Sequence, residues 1–295
     1  MKKKKSRVRT IVQILFFLLI ALVVTNKILA DSGHGLPFLS EASIHAVCPF
    51  GGVVSIYQFV TEGSYVHRIH DSSFVLMFLV LILTLLFGSV FCGWVCPLGS
   101  IQEWISKIGK KLFGKKYNHF MPKKIDKVLR YLRYGVLIWV LYVTAGTAQL
   151  VFRAVDPYYA LFHFWTGEVA ISALIILTLV VLASLWIERP WCKYLCPFGA
   201  VLGLISKISL FSLKRAPGTC IGCKNCDRVC PMNIEISSRN SVRHTNCIVC
   251  LQCSSEEACP VKDTLLLSTK LKAENQAGEE LKAEKQVSEE LKAVD

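Results

Sequence analysis

Charge is the first thing this sequence has little of. Asp, Glu, Lys and Arg make up 19% of 295 residues against 53% hydrophobic, with a mean hydropathy of +0.46, which excludes an ordinary soluble domain of this length. A nucleophile–base constellation is also lacking, so independent turnover of a substrate is not expected. The basic excess, 34 Lys and Arg against 21 Asp and Glu, forms no aromatic-interleaved patch, which removes nucleic acid as a partner. From Lys270 onward five lysines face seven acids, so the excess belongs to the apolar part of the chain. Scattered cysteine pairs of the kind that staple small secreted domains are missing too. The thirteen cysteines instead fall in tight clusters with short, regular spacings, which points to metal.

What is present is long and apolar. Residues 10–29, 74–91, 132–152 and 169–187 are each long enough to cross a hydrocarbon core, with no charge in the middle of any. Six Lys and Arg precede the first and nine lie between residues 92 and 131, whereas residues 31–73 carry only Arg68 and residues 153–168 only Arg153. The positive-inside rule then predicts a multi-pass protein of the inner, cytoplasmic membrane with both termini in the cytoplasm. The first stretch is alternatively a signal peptide cut near Ala30, a reading that Ile28 fits poorly.

The two halves repeat. Phe91-Cys92-Gly93-Trp94-Val95-Cys96-Pro97 aligns with Trp191-Cys192-Lys193-Tyr194-Leu195-Cys196-Pro197 at an offset of one hundred residues, and Ile105-Ser106-Lys107-Ile108 aligns with Ile205-Ser206-Lys207-Ile208. Ala46-Val47-Cys48-Pro49-Phe50 echoes Ala154-Val155-Asp156-Pro157-Tyr158. Each unit reads as a helix, an outer loop, a returning helix, CxxxCP and a short amphipathic basic stretch. The copies are parallel repeats about an axis along the membrane normal. That symmetry brings both CxxxCP motifs together at the inner surface, with Pro97 and Pro197 expected to end or bend the helices there.

The most specific signal is Cys220-x2-Cys223-x2-Cys226-x3-Cys230-Pro231, the bacterial ferredoxin run, in which the fourth cysteine reaches the neighbouring cluster. A second run, Cys247, Cys250 and Cys253 with Cys259-Pro260, has five residues where the pattern has three. Cross-ligation assigns one 4Fe–4S cluster to Cys220, Cys223, Cys226 and Cys259, and another to Cys247, Cys250, Cys253 and Cys230. Zinc also uses CxxC spacing, but the CxxCxxC triple followed by CP is the iron–sulfur pattern. Cys92, Cys96, Cys192 and Cys196 leave three readings open: one further iron–sulfur centre, redox-active thiol pairs or bound copper, and buried small side chains.

Other features read more plainly. Cys48 is a lone outer thiol, and His34, His45, His67, His70 and His163 are outer-loop residues for which solvent or a quinone is the partner. Glu188 and Arg189 beside Trp191 read as an interfacial anchor. The Lys-, Glu- and Ala-rich ten-residue repeat beyond residue 267 reads as a solvated helix or a disordered extension.

Paired CxxxCP motifs, His45-Ala-Val-Cys-Pro-Phe-Gly-Gly52 and a terminal double ferredoxin run together resemble the NapH/NosR-like polyferredoxin membrane proteins, over about residues 10–265. The regulatory subgroup with a large extracytoplasmic flavin-binding domain is a poorer match, because residues 1–9 lead straight into the first span. The spacing before Cys259 is a second departure.

The expected architecture is an all-α membrane protein of four transmembrane helices, arranged as two parallel hairpin repeats, plus a small α+β ferredoxin-like domain with two 4Fe–4S clusters. Residues 1–9 are a basic terminus, 10–213 the membrane domain with CxxxCP at 92–97 and 192–197, 214–267 the ferredoxin-type domain and 268–295 the tail. The resemblance implies electron relay between the membrane quinone pool or a redox partner protein and cytoplasmic-side clusters. The chain is expected to be a carrier or a quinol-dehydrogenase-type subunit of an oxidoreductase complex. An iron–sulfur assembly, copper-reducing or redox-sensing membrane factor is the alternative.

Overall fold

The computed structural model describes residues 4–31, 71–147, 151–164, 169–261 and 264–269. Cys48, His34, His45, His67, His70 and the charged tail lie outside them. Helix α1, Lys4–Asp31, is a run free of glycine and proline, as an uninterrupted helix requires. It buries Arg9, Gln13, Ile20 and Val24 on one face and exposes Ile11, Leu15, Leu18 and Leu22 on another.

Within α1, Arg7–Asn26 is long and apolar enough to cross a membrane. Over the described residues, the helices of the other three predicted spans are shorter. Helix α2, Asp71–Phe87, has 17 residues; α6, Leu132–Thr147, has 16; and α8, Ile171–Ala183, has 13. At 1.5 Å per residue these are about 25, 24 and 20 Å long, against a hydrocarbon core of about 30 Å.

The cause is local. Gly88, at φ 81°, closes α2 with its amide on the Thr84 carbonyl at 2.8 Å. Ser184 folds its hydroxyl back onto the Val180 carbonyl at 2.7 Å where α8 ends. The outward faces stay apolar: Val75, Phe78, Leu79 and Ile82 on α2, and Ile171, Ile175, Leu179 and Leu182 on α8, are exposed.

The sequence repeat is a structural one. Short helix α3, Val90–Trp94, is matched by α9, Pro190–Tyr194, and α4, Pro97–Phe113, by α10, Pro197–Ser206. Pro97 and Pro197 therefore begin helices rather than ending them, each at the first helical position, where the missing N–H costs nothing. The amphipathic α4 carries Lys110 and Lys111 in its last turn, whereas α10 is apolar and packs against α2 and α6.

The segment expected as an outer loop folds back. A turn at Val151–Ala154 leads into α7, Pro157–His163, which packs on α8 and touches α4, and Phe162 joins Ile20 and Val24 of α1 in a buried cluster. His163 is thus buried, with Nδ1 3.1 Å from the Tyr159 carbonyl oxygen and its ring stacked on Tyr159, not solvated.

The C-terminal module is a three-stranded antiparallel sheet in the order β2, β1, β3, with β1 Phe211–Arg215, β2 Ser241–Val242 and β3 Leu265–Thr269. One short helix, α11 at Asn225–Arg228, lies between the first two strands. The Asp227 carboxylate accepts from the amides of Ile236 and Ser237 at 2.6 and 2.8 Å, which ties α11 to the following loop. Phe211 stacks on Phe87 with centroids 5.0 Å apart, joining the sheet to the end of α2.

Two glycines set the depth of the docking. A Cβ on Gly93 would stand 2.2 Å from the Ile248 carbonyl oxygen, and one on Gly203 2.3 Å from that of Thr245. Only hydrogen fits at those points, so the loop that carries Cys247 and Cys250 lies directly on α3 and α10, where Trp94 Nε1 donates to the Val249 carbonyl at 3.0 Å.

A polar clamp holds the other side of the module. Asn118 donates to the Pro231 carbonyl at 3.1 Å and to Asn233 Oδ1 at 2.9 Å, and Arg130 donates to the Asn233 carbonyl at 3.0 Å. Helix α5, Lys123–Leu129, supplies Asp126, buried between Arg130, Lys193 at 2.6 Å and the Tyr194 hydroxyl, which donates to it.

Gly93→Ala should force the loop and α3 apart, at a cost of about 1–3 kcal/mol or more. Faster limited proteolysis within residues 220–259, with helical ellipticity retained, would show it. Burial alone would raise the Asp126 carboxyl, but hydrogen bonds from Lys193, Tyr194 and Arg130 and the charge of Lys193 hold it below its ordinary value. That stabilisation is complete above the unfolded carboxylate pKa and disappears as pH falls through the depressed one. Asp126→Ala should cost about 3–5 kcal/mol near neutrality, and thermal unfolding in detergent should show the gap to wild type closing in acid.

Candidate metal centres

Each ferredoxin run is built on a strained backbone. Gly222 and Lys224 flank Cys223, and Val249 and Leu251 flank Cys250; all four have positive φ, at 70, 53, 48 and 57°. The positions correspond in the two runs. For β-branched Val249 this conformation costs about 1–2 kcal/mol, the kind of strain that persists where a site is shaped by it. Alternating hand turns successive N–H groups inward, as in an anion-binding nest. The backbone amides of Gly222, Val249 and Gln252 favour the thiolate forms of Cys220, Cys247 and Cys250.

These loops wall two small cavities. One is lined by Cys220, Cys223, Cys226 and Cys259, the other by Cys230, Cys247, Cys250 and Cys253. The first opens toward solvent, with Cys223 exposed, and the Gly222 amide followed by the Arg215 side chain holds the Cys220 thiol below its ordinary value. The second is deep: burial pushes the Cys247 thiol up to about 11 and raises Cys230 and Cys253 further. Metal binding there must displace protons from the thiols.

A third cavity, of about 70 Å³, is lined by Cys92, Cys96, Cys192 and Cys196. Cys96 and Cys196 cap the N-termini of α4 and α10, and the Gly199 amide donates to Cys196 Sγ at 3.3 Å. Helix N-termini favour thiolate. Burial, the neighbouring thiols opposing ionisation as well, raises Cys92 and Cys196, and burial with Cys192 pushes Cys96 up to about 12. Asp156, from the folded-back segment, lines the same cavity, as do Phe152 and Trp191. Met232 and Ile248 line both this cavity and the Cys230/Cys247/Cys250/Cys253 cavity, so two side chains form the wall between them.

The twelve described cysteines are free thiols. Among the described residues no three His, Cys, Asp or Glu side chains converge on a single metal ion. Four cysteines line each of the two cavities of the module, the number that ligates one 4Fe–4S cluster. The donor chemistry and the nested amides therefore fit 4Fe–4S clusters.

Charge beside the cysteines was the part that sequence reasoning missed. Glu188 and Arg189 are not an interfacial anchor: both are buried, at 2% and 0% exposure. Glu188 pairs with Lys110 at 2.8 Å. Arg189, in the left-handed region at φ 53°, pairs with Glu103 at 2.6 Å and donates to the Cys92 carbonyl. Arg9 pairs with the same carboxylate. Burial alone would raise Glu103, and Arg189 and Arg9 hold it low. Lys193 is buried on Asp126, and burial pulls its ammonium below the ordinary value against that carboxylate. The available signal was position: Lys193 stands inside the second CxxxC and Arg189 three residues before it.

A larger cavity, of about 680 Å³, adjoins the Cys247–Cys253 loop and is lined by Val8, Trp94, Lys110, Tyr117, Glu188 and Cys250 among others.

The comparisons with known proteins agree with this chemistry. A family described as a 4Fe-4S binding domain matches residues 70–116 and 169–216, the second long helix of each repeat with the CxxxCP motif that follows it. YccM of Escherichia coli, a protein named for electron transport, is 32% identical over 77% of this chain and 64% of its own length. The chain thus spans just under two thirds of that relative. An uncharacterised protein of Methanocaldococcus jannaschii is 34% identical over 77% of this chain and 88% of its own length. The ferredoxin-type protein NapH of Haemophilus influenzae is 31% identical over 52% and 51%, and the regulatory protein NosR of Stutzerimonas stutzeri 27% identical over 60% and 25%. No solved structure matches the chain. With two 4Fe–4S clusters and a mostly helical fold with a small sheet, the chain belongs to the NapH/NosR-like family of 4Fe–4S membrane proteins.

Proposed function

We propose that the chain is a membrane-embedded electron conduit. One cluster is held by Cys220, Cys223, Cys226 and Cys259, a second by Cys230, Cys247, Cys250 and Cys253, and a third centre by Cys92, Cys96, Cys192 and Cys196. Helices α1, α2, α6 and α8 are its four spans, with both termini in the cytoplasm, and electrons pass between quinone in the bilayer and a redox partner protein. The observation that carries this reading is the set of three cavities, each walled by four cysteines, with Met232 and Ile248 shared between two of them.

When bound, each cluster takes up and returns one electron. The residues of the chain supply the rest. Nested amides of both runs face negative charge, and the N-termini of α4 and α10 do the same for the third set. Burial keeps water from the inner two sets, while the exposed Cys223 marks the end at which a partner protein can approach.

Exposed apolar faces on α1, α2, α6 and α8 support membrane embedding, because contiguous apolar surface of this extent is unstable in water. The short helices are accommodated by local thinning of the bilayer or by flanking residues that reach the interface, and the folded-back α7 is buried in protein, as non-spanning backbone at membrane depth must be. The 680 Å³ cavity supports the quinone side of the reading. It falls within the range of small-molecule sites, lies level with Val8 where the apolar run of α1 begins, and contains Glu188, whose Oε1 lacks a hydrogen-bond partner.

Anaerobically purified Cys92→Ser/Cys192→Ser protein should contain iron and acid-labile sulfide for two clusters where the wild type contains three. Unchanged content would remove the third centre. Added quinol should reduce the wild-type clusters, or quinone reoxidise them, within seconds by visible absorbance. Inert clusters accompanied by stoichiometric copper would favour the copper-reducing alternative and sink the conduit.

A further inference from the structure

Three elements place charge between the CxxxCP cavity and the Cys247–Cys253 loop. Arg9 comes from α1, Glu103 from α4 and Arg189 from the turn before α9. Glu103 Oε2 accepts from Arg189 at 2.6 Å, from Gln13 at 3.3 Å and from Arg9. Arg9 also donates to the Gly93 carbonyl at 3.2 Å and to the Cys250 carbonyl at 3.4 Å. Arg189 donates to the Cys92 carbonyl. The two guanidinium groups thus hold peptide groups of a CxxxCP cysteine and of a ferredoxin-run cysteine.

The charges do not balance. Two buried cations share one carboxylate, and among the described residues neither has another acidic partner within salt-bridge distance. Arg9 and Arg189 are 5% and 0% exposed, where an uncompensated charge costs several kcal/mol. Mere adhesion between α1, α4 and the module would be served as well by apolar side chains. The excess cation has a use if an anion stands on either side of it. A cubane held by four thiolates is such an anion, and it gains one further negative charge on reduction.

We propose that Arg9 and Arg189, bridged by Glu103, are potential-setting residues: one uncompensated buried cation raises the reduction potentials of the centres at Cys92/Cys96/Cys192/Cys196 and at Cys230/Cys247/Cys250/Cys253 together. Arg189, on the Cys92 peptide, acts on both centres. Arg9, on the Cys250 peptide, acts mainly on the second. Glu103 moderates both and keeps the guanidinium groups from repelling each other. The proposal rests on the cysteine assignments proposed above.

The test is a potentiometric titration followed by electron paramagnetic resonance, on the anaerobically purified full chain. Glu103→Gln leaves two unopposed cations and should shift the potential of the Cys250 centre upward. Arg9→Gln and Arg189→Gln should each shift it downward, and Arg189→Lys, which keeps the charge, should stay near wild type. Opposite signs for the acid and the bases are the signature, because a structural defect has no reason to follow charge. Shifts of one common sign, or none, at full iron content would overturn the proposal. So would a triad in which no substitution yields iron-loaded protein, since that marks a structural lock. Iron and sulfide counts on the same samples report separately on whether the centres are present, so failure of the assignments and failure of the triad give different results.

Discussion

The contact between the Cys247–Cys253 loop and the CxxxCP hairpins is the constraint on which the rest depends. It is a backbone contact, made possible because Gly93 and Gly203 have no side chain to oppose the carbonyls of Ile248 and Thr245. With that approach closed, the sulfurs of the module and those of the membrane part line neighbouring cavities with two side chains between them. Were the module held off by even one methyl layer, the cysteine sets would be separate sites on a tether.

That closeness creates an electrostatic demand. The two inner centres proposed above concentrate negative charge in the protein interior, and the fold there offers nested amides, helix N-termini and buried cations. The same cations lock the parts together. Arg9 joins the first helix to the module, Arg130 and Asn118 hold the Cys230-Pro231 turn, and Lys193 on Asp126 fixes the helix between the second pair of membrane cysteines. Structural and electrostatic roles coincide because the interior offers few other places for charge.

The membrane part departs from a simple hairpin pair for the same reason. Helices α2 and α8 stop early so that the chain can turn inward and bring Ser89 and Arg189 to buried positions just before the short cysteine-bearing helices. Helix α7 folds back to fill the space between α8 and α4, which lets Asp156 line the cavity of the CxxxCP cysteines.

The sequence by itself determined the cysteine runs and their spacing, the duplication and the apolar character of the chain. These rest on covalent spacing and on composition, which act over a few residues: CxxCxxCxxxCP needs no tertiary context to be recognised, and an offset of one hundred residues is visible by alignment alone. Only the tertiary structure decided the helix lengths, the re-entry of residues 151–164 and the burial of Arg9, Glu103, Glu188, Arg189 and Lys193. A charge next to an apolar run has the same local sequence whether it anchors at an interface or pairs inside the protein. The outcome is set by a partner on another element, and for Arg189 that partner, Glu103, is eighty-six residues away.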